Sequence, residues 1–280
     1  SNETYNHEGD LKTQILHTSV TIGLNDYFNI NINQMFGLRT MNFVEPEEGE
    51  SVHHRDESSD SDFDNAEGGL LGDTKINLKY LITNTGKQAG SRIFIGSGIS
   101  IPSKNTITSN PYIIDEDEDY LPHRHFALSD GAFKYMFELQ WFYKQSVFPI
   151  FYGLAFNIEQ PLKENKYGYL PSTAYNANFL LYTKKISFLK SPLGFNLNYI
   201  KTSKAFWNGN YAKNSDSSII APGLSLIFNT KSFTYGLKLS KEFVTSLAFG
   251  DNALEQRIDS WTLNLSIRKI LDYTIPFLYY

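Results

Sequence analysis

Carboxylates and histidines gathered in two polar segments, at about 45–68 and 103–125, are the residues with the clearest capacity for chemistry. Asp60, Asp62 and Asp64 place carboxylates at alternate positions, as oxygen-ligand calcium loops do. The segment lacks the glycine and the distal glutamate of an EF-hand, which excludes that motif. Two hypotheses stay open here: a bound calcium ion, or a solvated acidic loop.

Four of the six histidines lie in the same two segments: His53, His54, His123 and His125. Neutral imidazoles beside carboxylates can bind zinc, copper or nickel. Neighbouring histidines in a polar loop are also common without a metal, so both interpretations stay open. No cofactor other than a divalent cation is predicted.

Enzymatic chemistry finds little support. The chain has no cysteine, which excludes disulfides, thiolate metal sites and cysteine nucleophiles. Gly-x-Ser-x-Gly, phosphate-loop and zincin motifs are absent, and His125 with Ser129 and Asp130 is the nearest approach to a nucleophile and base. We predict that the protein is not an enzyme. Its net charge of −5 argues against a nucleic-acid partner.

A second charged set recurs at every second position of otherwise apolar segments. Rings of charge along a pore select ions by sign, and this set is more basic than acidic. It indicates either an open passage that prefers anions, or charges that pair across strands and fill a narrow barrel. The members are Lys75, Lys79, Arg92, Lys134, Glu138, Glu159, Lys184, Lys238, Glu242 and Arg268.

In the segments that carry these charges, apolar and polar side chains alternate with a period of two residues. From Ala132 to Lys144 aromatic and aliphatic side chains alternate with charged, amide and other residues, and the pattern resumes after a break at 145–147. Two such runs across a tight turn predict a β-hairpin. Both runs are longer than strands of soluble sheets. An apolar face opposite a polar one is typical of a membrane β-barrel, with lipid outside and water inside.

The same alternation predicts about eleven strands over the whole chain, joined in turn by short turns and long loops. This order is typical of a barrel with short periplasmic turns and long extracellular loops. Because such barrels have an even number of strands, we expect a twelfth strand from residues 1–6, before a turn at 7–10, or upstream of Ser1. The predicted fold is therefore all-β: one domain over 1–280, a closed antiparallel transmembrane β-barrel of about 12 strands.

Three short segments resemble a known family. Val20–Ile30 is similar to a strand–turn–strand of the outer-membrane transporter barrels of the phenol-degradation (MetA-pathway) type, which are distantly FadL-like. Gly68–Asp73, followed by Lys79 and Tyr80, resembles the family's Gly-Gly-x-Gly-Asp strand entry with one extra residue. Gly98–Ser103 is similar to a strand end of the family, without its usual glycine and lysine. The resemblance covers about the first half of the chain and implies a channel in the outer membrane.

From the residues and the resemblance together we predict a monomeric barrel in the outer membrane of a Gram-negative bacterium, in contact with outer-membrane lipid. It would pass small-molecule solutes, with a preference for anions or amphipathic molecules. The alternative is a structural barrel that conducts nothing and anchors partner proteins, with its acidic extracellular loops as docking surfaces.

Overall fold

The computed structural model describes residues 9–43, 57–85, 89–111, 123–148, 150–212, 215–247 and 260–272. In these ranges no helix is long and apolar enough to cross a membrane.

Eleven long strands form one antiparallel sheet, in which each strand pairs with the next long strand along the chain. Short turns join them at one end of the sheet, the turn end, and long connections join them at the other, the loop end. The strands are β1 (Gly9–Gly23), β2 (Phe28–Phe43), β5 (Leu71–Asn84), β6 (Gly90–Ile101), β8 (Lys134–Lys144), β9 (Phe151–Pro161), β11 (Ala174–Ile186), β12 (Ser191–Thr202), β15 (Ser217–Asn229), β16 (Phe233–Leu247) and β17 (Ser260–Lys269).

The two faces of this sheet carry the two sequence patterns. On β8, Leu139 is 43% exposed and Trp141 40%, whereas Glu138 is 9% exposed. Leu139 lies opposite Ile95 and Phe156 on its two neighbours. Because directly opposed residues share a face, the apolar sets of successive strands line up into one exposed surface. The predicted parity is confirmed, and it is the reverse of a soluble sheet.

The sheet is curved, with its polar face on the inside. Lys75 of β5 forms an ion pair with Glu159 of β9, although β6 and β8 lie between these strands. In a flat sheet, three strand spacings of about 4.8 Å would separate the two backbones by about 14 Å. Curvature shortens this separation until the side chains meet. The described part of the chain is thus an open half-barrel with a polar concave face.

The edges of the half-barrel are β1 and β17, each paired on one side only within the described residues. Both strands run from the loop end to the turn end, so they could not pair antiparallel with each other directly. Residues 1–6, the predicted twelfth strand, lie outside the described residues, and closure stays a prediction. The turn predicted at 7–10 is wrong in its second half: Gly9 and Asp10 belong to β1 because the long β2 offers them Phe43 and Asn42 as partners.

Six shorter strands lie in the long connections, where we predicted only polar loops. β3 (Glu57–Ser58) pairs with β2, and β4 (Ala66–Glu67) pairs with β7 (Thr106–Ile107). Three more, β10 (Tyr169–Leu170), β13 (Phe206–Trp207) and β14 (Asn210–Tyr211), form a small sheet.

These connections hold most of the buried apolar side chains. Of the eight buried apolar residues in the described part, only Met136 and Ala221 lie in long strands. The others belong to the connections, and one cluster of them packs around Trp207, which is 6% exposed. The long connections therefore fold together into a cap with its own core.

The two faces of the sheet should respond differently to an added positive charge. Leu139→Arg puts a cation on the exposed apolar face and should destabilise the lipid-inserted barrel by about 2–4 kcal/mol, the cost of arginine near the bilayer midplane. Asn178→Arg puts the same cation on the polar face of β11 and should cost much less. Urea titration of the protein folded into vesicles measures both. Equal destabilisation by the two variants would contradict the assigned faces.

Candidate functional site

The concave face encloses a polar cavity of about 310 Å³ at mid-strand. Residues of six strands line it, among them Asn31 of β2, Asn77 of β5, Asn157 of β9 and Asn176 of β11. Each stands at the inward parity of its strand, which the alternating pattern predicts. Their amides and the charged groups between them make this a hydrophilic interior.

Glu138 is the centre of the largest side-chain network in this cavity. Its carboxylate accepts a hydrogen bond from Asn77 Nδ2 at 2.7 Å and lies 2.8 Å from Lys79 Nζ. Gln140 Nε2 donates to the other carboxylate oxygen. Burial of a carboxylate is costly unless it is paired and hydrogen-bonded, and here Glu138 has both kinds of partner.

Two further lysines of the predicted lumen set are also paired. Lys75 contacts Glu159, and Lys134 contacts Asp130. The structure thus brings together Lys75, Lys79, Lys134, Glu138 and Glu159, five of the ten residues predicted to line a lumen, and joins their charges across the concave face. Their pairing leaves this half of the interior close to electrically neutral.

The other five predicted lumen residues lie apart from this network. Arg92 Nε donates to Asn84 at 3.2 Å at the turn end, and Glu242 accepts a hydrogen bond from Thr262 at 2.8 Å. Lys184 is exposed at a bulge of β11, and Arg268 is exposed on β17. Lys238 is half-buried on β16.

A second cavity, of about 350 Å³, lies towards the loop end and shares Lys75 and Glu159 with the first. Its wall includes His17 and Met35 of the sheet, and also residues 127–130 of the long connection that precedes β8. Leu128 fits over Gly37 so closely that a Cβ there would lie 2.6 Å from a Leu128 methyl carbon. The connection therefore folds inward and narrows the interior.

Arg124 anchors this inward segment and is fully buried. Its guanidinium donates to the carbonyl oxygens of Ser58 at 2.7 Å, Glu67 at 3.3 Å and Ser61. Its backbone exchanges two 2.8 Å hydrogen bonds with the side chain of Asn65. A planar guanidinium with five donors suits this use, since it can serve several carbonyls at once.

Asn105 ties the same region together from the other side. Its Nδ2 donates to the carbonyls of Ser59 and Gly69, both at 2.6 Å, and its Oδ1 accepts from Leu128 N at 2.7 Å. Sequence reasoning missed Arg124 and Asn105, because one polar residue in a polar loop carries no periodic signal of burial.

Glu57 provides a counter-charge for this assembly while being only 8% exposed. Burial raises the pKa of the Glu57 carboxyl, and the nearby guanidiniums of Arg124 and Arg39 oppose that shift. Burial likewise lowers the pKa of Arg124, and the carboxylate of Glu57 opposes it. The Arg39 guanidinium also lies 3.5 Å from the ring centroid of Phe126, a cation–π contact.

A third cavity, of about 240 Å³, lies on the other side of the inward segment, within the cap. Residues 126, 127, 129 and 130 line it together with Pro111 and Trp207. The segment therefore separates an outer cavity in the cap from the two inner cavities in the half-barrel.

A second contact joins two connections of the cap. Tyr167 Oη and Lys166 Nζ, the latter at 3.3 Å, both contact the carboxylate of Glu67. The hydrogen bond from Tyr167, followed by that from Lys166, lowers the pKa of Glu67.

An aromatic cluster occupies the concave face near the turn end. Phe142 lies 6.3 Å from Phe94 and 5.7 Å from Phe151, and Phe151 lies 5.9 Å from Tyr182, between ring centroids. All four stand at inward parity. Sequence reasoning missed this cluster. The available signal was the presence of aromatic residues at inward positions, which are otherwise mostly polar.

The predicted metal ligands do not gather among the residues that the structure describes, where no three His, Cys, Asp or Glu side chains are placed to hold an ion. Asp60, Asp62 and Asp64 are exposed, and Asp62 Oδ1 accepts a hydrogen bond from Gly68 N. The rings of His123 and His125 lie 4.5 Å apart between centroids. His53 and His54 lie outside the described residues, so calcium and transition-metal binding stay predictions.

Removal of the Arg124 side chain should release the inward segment. Arg124→Ala removes a donor from three carbonyls and should destabilise the cap by about 1–3 kcal/mol. Faster hydrogen exchange in 57–67 and 123–130 would report this. Arg124→Lys should recover little, because a compact ammonium does not reproduce the spacing of the two guanidinium nitrogens that reach the three carbonyls. Lys163→Ala, an exposed cation in another connection, is the control, and unchanged exchange in Arg124→Ala would overturn the assigned role.

The Glu67 contact should depend on pH. A carboxyl whose folded-state pKa is lowered stabilises the fold above its ordinary value of 4.5, and that stabilisation disappears as pH falls through the lowered pKa. Hydrogen exchange of 164–170, corrected for intrinsic rates, should therefore rise below about pH 4.5. Tyr167→Phe should exchange faster already at pH 7, whereas Glu164→Gln should behave as wild type. A wild-type profile without an acid transition would contradict this contact.

No protein-family model matches this chain, and no curated protein sequence is similar to it. Among solved structures, an outer-membrane channel from Pseudomonas putida F1 has the same fold, with a TM-score of 0.54 over 94% of this chain and 84% of that one, at 10% identity. This likeness shows the fold, and the prediction that this protein is not an enzyme stays a prediction. The resemblance predicted from the sequence is supported at the level of an outer-membrane barrel fold, and the family subtype and the channel role stay predictions.

Proposed function

We propose that this protein is an outer-membrane channel of a Gram-negative bacterium that passes small solutes and prefers anions. One observation carries the proposal: cavities follow one another from the cap, where the volume is about 240 Å³, to the concave face, where the volumes are about 350 and 310 Å³. A barrel that served only as an anchor would have no need of successive cavities along its interior. The shared fold with an outer-membrane channel supports the proposal independently.

The inward segment at 127–130 sets the size of the passage. It lies between the cap cavity and the inner cavities, and buried Arg124 and Asn105 hold it in place. A constriction that is built on such bonds retains its width while solutes pass. Selection by size therefore occurs at this segment.

The anion preference follows from which charges are paired. Lys75, Lys79 and Lys134 each have a carboxylate partner and contribute little net field. Lys238 has no ion-pair partner among the described residues. Arg92, Lys184 and Arg268 of the lumen set likewise have no ion-pair partner there, and the inward carboxylates without one are only Asp73 and Glu242. The uncompensated charge of the described interior is therefore positive, which attracts anions.

The second candidate function is a structural barrel that anchors partner proteins through its acidic loops. The packed cap favours it in one respect, since a folded outer surface is a better docking site than loose loops. In that case the purified barrel would be electrically silent and would co-purify with partners.

Planar-bilayer recording decides between these functions. The purified protein should give discrete conductance steps. Under a KCl gradient its reversal potential should lie closer to the equilibrium potential of chloride than to that of potassium. Glu159→Gln should move the reversal potential further towards chloride, because it leaves Lys75 uncompensated. Lys75→Gln should move it towards potassium.

The double variant Lys75→Gln, Glu159→Gln is the matched control and should return the reversal potential close to wild type, since both partners are then neutral. A wild-type protein without conductance in the bilayer would refute the channel proposal. A conducting protein with cation preference would refute only its anion preference.

A further inference from the structure

The two halves of the concave face differ in charge. Asp73, Glu138 and Glu159 lie on β5, β8 and β9, and the lysines beside them are paired. Strands β11, β12, β15 and β17 contain no acidic residue, and β16 contains only Glu242. Glu242 is four residues from Lys238, about 13 Å along a strand, and its carboxylate already accepts a hydrogen bond from Thr262.

One row of residues crosses this second half at inward parity. Tyr182 lies opposite Gly194, Gly194 opposite Ser225, and Ser225 opposite Lys238. A Cβ at Gly194 would lie 2.2 Å from Ser225 Oγ and 2.4 Å from Tyr182 Cε1, so both side chains lean over the glycine. Ser225 Oγ donates to Tyr182 Oη at 3.3 Å, which leaves the Tyr182 hydroxyl hydrogen for another acceptor.

Lys238 completes the row with a positive charge. Among the described residues its ammonium has no hydrogen-bond, ion-pair or ring partner. In the neighbouring row Asn196 is fully buried, and neither atom of its amide has a hydrogen-bond partner within the described ranges. Its Nδ2 would lie 2.9 Å from a Cβ at Gly223, so the amide also leans over a glycine.

We propose that this row binds the oxyanion group, carboxylate or phosphate, of a solute in passage. The inference rests on the proposed function, since it assigns a solute class to the same interior. Lys238 supplies the charge, the hydroxyl of Tyr182 and the amide of Asn196 supply donors, and Gly194 and Gly223 allow these two side chains to lie close to the backbone of the neighbouring strands. Charge-assisted hydrogen bonds to an oxyanion are stronger than neutral ones, and this half of the interior holds no nearby carboxylate that would compete.

The test is blockade of single-channel current in planar bilayers. Succinate and inorganic phosphate are the probes, and neutral succinamide is the matched blank. Wild type should show brief interruptions of current with succinate, phosphate or both, and none with succinamide. Lys238→Met should shorten the interruptions about tenfold, and Tyr182→Phe should shorten them a few-fold without a shift in reversal potential.

Lys241→Met is the control, because Lys241 lies on the other face of the same strand, 5.3 Å from the ring centroid of Trp261. It removes the same charge and should leave blockade unchanged. Blockade by one oxyanion only would identify the ligand as carboxylate or phosphate. Blockade by neither, or equal blockade in Lys238→Met and wild type, would overturn the site while the channel function stands.

A protein that is silent in bilayers fails the proposed function, and the site is then tested by calorimetry on the detergent-purified full chain. Phosphate or succinate binding that is lost in Lys238→Met and kept in Lys241→Met would support it. No measurable heat with either probe would overturn it. Retained heat-modifiable gel migration shows that each variant is folded.

Discussion

The pleat of a β-strand is the constraint on which this molecule depends. Successive side chains point to opposite faces, so a strand in a membrane can present apolar groups to lipid and polar groups to an interior at no cost to its backbone hydrogen bonds. Leu139 and Glu138 are neighbours in sequence and lie in opposite environments. The apolar face can be continuous only if every strand keeps its register, and the antiparallel pairing from β1 to β17 does so with few bulges.

Polar side chains in the interior of a protein need hydrogen-bond or ion-pair partners. In one half of the concave face charge pairs provide them, with Glu138 between Lys79 and two amides. In the other half the inward residues are glycines, residues with hydroxyl or amide groups, and Lys238, which has no ion-pair partner in the part of the chain that the structure describes. Water or a solute would supply the hydrogen-bond partners of these groups. This asymmetry is the physical basis of both the proposed anion preference and the proposed oxyanion site. A uniform ring of charges would provide neither.

The cap follows a different rule. Its connections bury Trp207 and its neighbours much as a soluble protein does, and Arg124 and Asn105 donate hydrogen bonds to backbone carbonyls of these connections. The inward segment therefore rests on side-chain bonds to irregular backbone. These bonds give a constriction of fixed position, in contrast to the sheet, whose shape follows from strand pairing alone.

The sequence by itself determined the strands, their faces and the alternation of turns and loops, because a period of two survives in the chain wherever one face sees lipid. It also placed Lys75, Lys79, Lys134, Glu138 and Glu159 on the inner face. Only the tertiary structure decided that Lys75 meets Glu159 across two intervening strands, since curvature is a property of the whole sheet. The tertiary structure alone also showed that Arg124 and Leu128 belong to a segment that folds inward at the loop end of the half-barrel. Contacts between irregular connections depend on spatial proximity and leave no periodic pattern in the sequence.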